Sequence, residues 1–168
     1  YNDPRRFGFL KILNNKKELK NYFQRFGPEA ISSKFNFKYI KYKFINKKKN
    51  IKNFLLDQSF VSGIGNIYAN EILFYAKISP LKIAKKLSNK EIGKLAKYSK
   101  LVLNLSIKFG GSSIRDFKNA KGISGLFQNN FKVYDRENKS CVRKNCKGKI
   151  IKIFISNRSS FFCKFCQK

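Results

Sequence analysis

Four cysteines near the carboxyl end constrain the fold more than any other feature of this 168-residue chain. They form the pattern Cys141-x4-Cys146-x16-Cys163-x2-Cys166, and residues 150–155 and 158–162 between the two pairs have the character of strands. Each cysteine pair forms a short loop, or knuckle, and two knuckles at the ends of a β-hairpin bring four thiolates to one point. Four thiolates at Zn–S distances of about 2.3 Å complete a tetrahedral Zn²⁺ site without histidine. The pattern therefore predicts one structural zinc ion.

Two disulfides, or four unrelated thiols, are the alternatives to a metal site. The cysteine-containing segment has too small a hydrophobic core to be stable without disulfides or a bound metal, and disulfides are rare inside cells. Three lysines flank the cysteines and would favour the thiolate form: Lys144, Lys147 and Lys164. Zinc is therefore favoured over disulfides.

The charge of the chain indicates its kind of partner. Its 38 Lys and Arg residues face 9 Asp and Glu, so the formal net charge is +29, while 42% hydrophobic residues are enough to bury a core. Because so many positive charges repel one another, the expected binding partner is a polyanion that neutralises them. AT-rich codon usage, which also favours Asn, Ile, Phe and Tyr, is the alternative explanation for part of the lysine excess.

Two missing residue types narrow the functions. The chain has no His, which excludes Ser-His and Cys-His nucleophile pairs. It has no Met either, and we expect it to be the carboxyl-terminal portion of a longer protein. No run approaches the roughly 18 to 20 apolar residues of a membrane span, and no signal peptide pattern is present, so we expect a soluble chain without a membrane partner.

The middle of the chain has helical signals. Residues 34–45 nearly alternate, which could indicate a strand, but Ser32-Ser33 offers a helix start and a helix is favoured. Helices are also predicted over residues 51–60 and 67–76, separated by a glycine turn, with Ser79-Pro80 as the stop of the second. Ser88 and Glu91 form a capping box, and apolar spacings of three and four then continue to Gly110-Gly111.

The character changes after Gly111. Residues 118–130 have the composition of a loop, and residues 131–134 are predicted to be a strand. Mainly helical structure followed by a small β part is therefore the expected fold class.

Several segments together resemble the formamidopyrimidine-DNA glycosylase family. They are DPRRFG at 3–8, LDQ at 56–58, VSGIGNIYANE at 61–71, GGSSIRDF at 110–117, VY at 133–134 and CQ at 166–167. The resemblance implies a helix-two-turns-helix DNA-binding domain followed by a zinc-finger hairpin. It also implies a role in a bifunctional enzyme that removes oxidised purines, such as 8-oxoguanine and formamidopyrimidine, and cuts the abasic strand by β,δ-elimination.

This resemblance implies three domains and a partner. Residues 1–12 would be the end of an amino-terminal catalytic domain, residues 13–130 the DNA-binding domain and residues 131–168 the zinc finger. The expected partner is double-stranded DNA containing oxidised bases or abasic sites, bound by a monomer. A cytoplasmic location in a bacterium, at the nucleoid, is expected.

The same resemblance implies a set of DNA-contacting residues. Arg5 and Phe7, with the neighbouring Arg6, match residues that fill the space left by an everted nucleotide, where a planar cation and an aromatic ring replace lost stacking. Lys47 and Lys48 align with a DNA-contacting lysine, although a solvated charge run would look the same.

Two further positions are expected to hold phosphate. Gly65 and Asn66 stand at a helix start, where backbone amides point toward an anion, and Asn66 is expected to cap the helix as well. Arg158, at the hairpin turn, matches an arginine that grips phosphate beside the lesion and is linked to δ-elimination. Residues 118–131 match a loop that closes over the damaged base.

The chain departs from the family pattern in two ways. The family's nucleophile, an amino-terminal proline followed by glutamate, has no counterpart in this sequence, so we expect the chain to bind DNA without excising bases. The first cysteine pair has four intervening residues where the family usually has two. An endonuclease VIII-like enzyme acting on oxidised pyrimidines, or a non-catalytic nucleic-acid-binding zinc protein, remains an alternative.

Overall fold

The computed structural model describes residues 8–113 and 124–168. Within them lie five α-helices, two 3-10 turns and one antiparallel hairpin. The helices are α1 (Lys16–Phe23), α2 (Phe37–Phe44), α3 (Ile51–Leu56), α4 (Asn66–Ala76) and α5 (Asn89–Lys108); the 3-10 turns are Ala84–Lys86 and Phe127–Asn130; the strands are β1 (Ile150–Ile155) and β2 (Arg158–Cys163). The expected fold class, mainly helical with a small β part, is confirmed.

Helix α5 forms as its local signals predict. The Ser88 hydroxyl accepts a bond from the Glu91 amide at 3.3 Å, and the Glu91 carboxylate accepts one from the Ser88 amide at 2.8 Å. Its apolar face, including Leu95 and Val102, is buried against α2 and α4. The helix ends before Gly110, whose φ of 71° suits glycine.

The two helices that flank the glycine turn differ from the prediction at their carboxyl ends. The first ends earlier than predicted, and the second ends at the predicted residue but by another mechanism. Helix α3 stops at Leu56 and not at residue 60, because the Asp57 carboxylate accepts bonds from the Ser59 amide at 2.9 Å and hydroxyl at 2.6 Å. Helix α4 ends at Ala76 as expected, but Lys77 terminates it with a left-handed φ of 60°, ahead of Ser79-Pro80.

Helix α2 confirms the helical interpretation of residues 34–45, although its start is not at Ser32-Ser33. Asn36 is the N-cap, and its side chain accepts a bond from the Tyr39 amide at 3.0 Å. Ile40 and Phe44 of this helix are buried in the helical core.

The hairpin has its own small core. In register, Ile155 faces Arg158 and Ile150 faces Cys163. A buried cluster joins the hairpin to helix α4: Phe74, Val133, Cys141, Ile150, Phe161 and Cys163. Because Phe74 belongs to α4, the zinc-finger module packs directly on the helical domain. The predicted boundaries after residues 12 and 130 stay predictions.

Two elements differ from the sequence prediction. Helix α1 was not predicted, although Asn15 caps it by accepting a bond from the Glu18 amide at 2.9 Å. Residues 131–134 do not form a strand, because the amides of Lys132, Val133 and Tyr134 bond to the Glu71 side chain of α4. No helix in the described ranges is both long and apolar enough to cross a membrane.

Candidate metal centre and nucleic-acid interface

The four cysteines meet at one point. Their Sγ atoms all lie within 4.8 Å of one another, with 3.8 Å between Cys141 and Cys166 and 3.6 Å between Cys146 and Cys163. A tetrahedral ion with metal–sulfur bonds of about 2.3 Å separates its sulfurs by about 3.8 Å. A disulfide needs about 2.05 Å, and all four cysteines are free. The donor set and spacing fit one structural Zn²⁺ and not a pair of disulfides.

The local chemistry of the cluster also calls for a cation. Burial raises the pKa of the Cys141 and Cys166 thiols, and the neighbouring cysteines raise the pKa of Cys166 further. Four thiolates this close repel one another unless a dication neutralises them. The residues present would therefore hold the metal as ligands, and the metal would supply structural stability.

The four-residue gap in the first knuckle has a structural use. It contains Arg143, whose guanidinium lies 4.2 Å from the centroid of the Phe74 ring. The same group donates to the carbonyl oxygens of Phe74 and Tyr75 in the last turn of α4. A cation at a helix carboxyl end satisfies unpaired carbonyls and favours the helix dipole. Through Arg143, the longer knuckle thus caps the carboxyl end of α4 with a side chain from another module.

The hairpin turn presents Arg158 at the surface. Ser156 and Asn157 have φ values of 48° and 58°, as a two-residue turn between twisted strands requires, and Arg158 follows at once with an exposed side chain. Arg158 lines a cleft of about 380 Å³ between the turn and α3, together with Lys49, Asn53, Leu56, Asp57 and Ser156. Two cations therefore flank this cleft.

Behind Arg158 lies a buried lysine that the sequence did not single out. Lys52 of α3 is fully buried and donates to the Ser159 carbonyl at 2.9 Å and the Ser160 hydroxyl at 2.5 Å. Burial, and then the charge of Arg158, lower the pKa of Lys52 to about 8. Only its position on the apolar face of α3 distinguishes Lys52 in the sequence from the many solvated lysines.

The glycine turn before α4 is built around Gln58. Gly63 has a φ of 87°, which favours glycine. The Gln58 side chain accepts a bond from the Gly63 amide at 3.2 Å and donates to the Ile64 carbonyl at 3.1 Å. Gly65 is the N-cap of α4, so the first amides of the helix face outward.

Asn66 does not cap α4, and that part of the prediction was wrong. It is the first residue of the helix, and its side-chain amide donates to the Ser159 carbonyl at 3.1 Å. Asn66 and Lys52 thus share one acceptor, the residue after Arg158. The fold therefore ties the start of α4 to the strand residue that follows Arg158.

The other predicted contacts are placed differently. Lys47 and Lys48 are exposed in the loop between α2 and α3, whereas it is Lys49 that shares the cleft with Arg158. Arg5, Arg6 and Phe7 lie outside the described residues, as do residues 118–123 of the predicted base-covering loop, so these predictions stay untested.

The chain is similar to known proteins over nearly its whole length. The family model for the formamidopyrimidine-DNA glycosylase H2TH domain matches residues 26–118. A formamidopyrimidine-DNA glycosylase of Wolbachia pipientis is 44% identical over 167 residues, which are 99% of this chain and 60% of that protein. One from Histophilus somni is 45% identical over 168 residues, 100% of this chain and 61% of that protein. The chain therefore spans about three fifths of the length of these relatives.

Solved structures give the same result. The MutM (Fpg) protein from Thermus thermophilus has a TM-score of 0.88 at 33% identity, covering 98% of this chain and 62% of that one. The Lactococcus lactis Fpg in complex with abasic-site DNA has a TM-score of 0.83 at 37% identity, covering 91% of this chain and 56% of that one. This chain therefore belongs to the formamidopyrimidine-DNA glycosylase family and carries that family's helix-two-turns-helix (H2TH) domain.

Proposed function

We propose that the chain binds damaged double-stranded DNA, as the DNA-gripping part of a base-excision repair enzyme. The observation that carries this proposal is the junction at Ser159, where Asn66 at the start of α4 and the strand beginning with Arg158 are bonded together. An exposed guanidinium can bind phosphate with two parallel bonds. The outward amides at Gly65 and Asn66 can bind the next anion along a strand.

The finer activity follows the resemblance. The parent enzyme would remove oxidised purines, 8-oxoguanine and formamidopyrimidine, and nick the abasic strand by β,δ-elimination with Arg158 assisting the last step. The family's proline nucleophile has no counterpart in these residues, so this polypeptide alone would bind without excising. We also propose that it acts as a monomer in the bacterial cytoplasm, on DNA at the nucleoid.

Binding to a duplex with one abasic site tests the phosphate role of Arg158. Arg158→Ala is expected to weaken binding about tenfold, because a charge-assisted contact is lost, and to reduce the salt slope by about one. Lys90→Ala removes the same charge from the exposed first turn of α5 and is expected to change neither quantity measurably. Equal affinity and equal slope for Arg158→Ala and the unaltered chain would refute the proposal.

Competition binding separates this function from its alternatives. Damaged-DNA binding predicts a preference for abasic duplex over intact duplex and over RNA, whereas a general nucleic-acid-binding zinc protein would show no such preference. Borohydride trapping tests the absence of excision. A covalent complex between this chain and a duplex containing 8-oxoguanine would contradict it, and the same assay with an oxidised pyrimidine addresses the endonuclease VIII-like alternative.

A further inference from the structure

The outer edge of strand β2 is bonded by side chains in place of a third strand. In an antiparallel hairpin, alternate residues point their backbone groups away from the partner strand. On β2 these are Ser159, Phe161 and Cys163. The Ser159 carbonyl accepts from Asn66 and Lys52, the Phe161 amide donates to Asn70, and the Cys163 amide donates to Gln167. At least one outward backbone group of each of these three residues therefore has a specific side-chain partner.

Helix α4 supplies two of these partners from one face. Asn66 and Asn70 are four residues apart and so lie one above the other on the helix. The Asn70 carbonyl oxygen accepts from the Phe161 amide at 2.7 Å, and its amide nitrogen donates to the Asn66 backbone carbonyl at 2.7 Å. Asn70 is only 2% exposed. It connects the first turn of α4 to β2 without reaching the surface.

The next residue of α4 fixes the segment that leads into the zinc-finger module. Glu71 is fully buried, and its carboxylate accepts bonds from the amides of Lys132, Val133 and Tyr134 at 2.9 to 3.1 Å. The module is thus tied to α4 both at its entry and along β2. A shift of β2 along its own axis by one residue would break the side-chain bonds to Ser159, Phe161 and Cys163.

From this arrangement we infer that Asn70 is a positioning residue for Arg158, an inference that rests on the proposed function. Phe161 follows Arg158 by three residues, which is about 10 Å along a strand. Asn70 sets the height of β2 against α4, and Asn66 lies one turn before it on the same face of the helix. Asn70 therefore fixes the spacing between the guanidinium and the amides at the start of α4, the two proposed phosphate contacts.

A double-mutant cycle on abasic-duplex binding tests the inference, using the full 168-residue chain loaded with zinc. Arg158→Ala is expected to lower the affinity for the abasic duplex about tenfold in the unaltered background and less than about twofold in the Asn70→Ala background. The second effect is smaller because a mispositioned arginine no longer makes the phosphate contact that the substitution removes. Tyr39→Phe is the matched control. It removes a 2.7 Å bond to the Phe60 carbonyl in the helical core, and Arg158→Ala should still cost about tenfold there.

Thermal unfolding and zinc content establish that each variant is folded. If Asn70→Ala does not fold, Asn70→Ser replaces it, since a serine side chain is too short to span from α4 to the Phe161 amide. A tenfold cost of Arg158→Ala in the Asn70 variant would overturn the positioning role while leaving the proposed function intact. No cost of Arg158→Ala in any background would instead refute the phosphate role of Arg158, and the inference with it.

Discussion

Gly148 lies where the cysteine cluster leaves no room for a side chain, so Gly148→Ala tests the metal centre. A Cβ added at this position would lie 2.7 Å from the Cys163 sulfur, 2.6 Å from the Cβ of Phe165 and 3.5 Å from the Cys146 sulfur. The backbone cannot easily move away, because the Gly148 carbonyl accepts the Cys141 amide at 2.8 Å. The strain therefore falls on a predicted zinc ligand.

The size of the effect follows from these distances. Ordinary van der Waals contact begins near 3.4 Å, so the Cys163 sulfur would have to move by about 0.7 Å. Metal–ligand distances tolerate only about 0.2 Å. We expect zinc affinity to fall at least about 100-fold, which is about 2.8 kcal/mol, comparable with the loss of an orienting group around a metal.

Competition with a chromophoric chelator measures this affinity, and the absorption of the Co²⁺-substituted chain reports the thiolate geometry. Gly93→Ala is the control, because a Cβ there meets nothing within 4 Å and the position is inside α5. The control should leave zinc affinity unchanged and stabilise the helix by about 0.5–1 kcal/mol. If Gly148→Ala bound zinc as tightly as Gly93→Ala, the cluster would not be the metal site described above.

Three further changes address the helical domain, all measured by urea unfolding. The pKa of Lys52 is about 8 in the folded chain against an ordinary value of 10.5, so the unfolded state binds more protons above pH 8. The free energy of unfolding of the unaltered chain, relative to that of Lys52→Met, should therefore rise by about 3 kcal/mol between about pH 8 and about pH 10.5. A difference that does not change with pH would contradict the burial of this charge. Ser88→Ala removes the acceptor for the Glu91 amide and should cost about 1 kcal/mol at pH 7; an unchanged midpoint would mean that the capping box contributes nothing. Leu95→Ala empties a fully buried position and should cost about 2–5 kcal/mol, whereas a cost below 1 kcal/mol would place Leu95 outside the core.

Elements defined by near neighbours in the chain were predictable. The capping box of Ser88 and Glu91 acts over three residues, and the apolar face of α5 repeats at the helical period, so sequence reasoning placed this helix well. The two strands follow from the runs between the cysteine pairs, and the meeting of the four cysteines follows from their spacing. Helix α1 carried a readable signal as well, in Asn15 and Glu18.

Elements that depend on a distant partner were not predictable. Residues 131–134 have strand-like composition, but the amides of residues 132–134 bond to the carboxylate of Glu71, some sixty residues away in the chain. Asn66 was expected to cap its own helix, yet its side chain bonds to Ser159. Lys52 looked like one of many solvated lysines until the fold buried it under β2.

The residue pattern alone was thus sufficient for the family resemblance, the mainly helical class and the clustering of the four cysteines, because these depend on spacing and local capping. The tertiary structure decided how the two modules meet. Polar side chains of α3 and α4 find their partners on the outer edge of β2. This long-range pairing, and no local propensity, joins the strand that begins at Arg158 to α3 and to the first turns of α4.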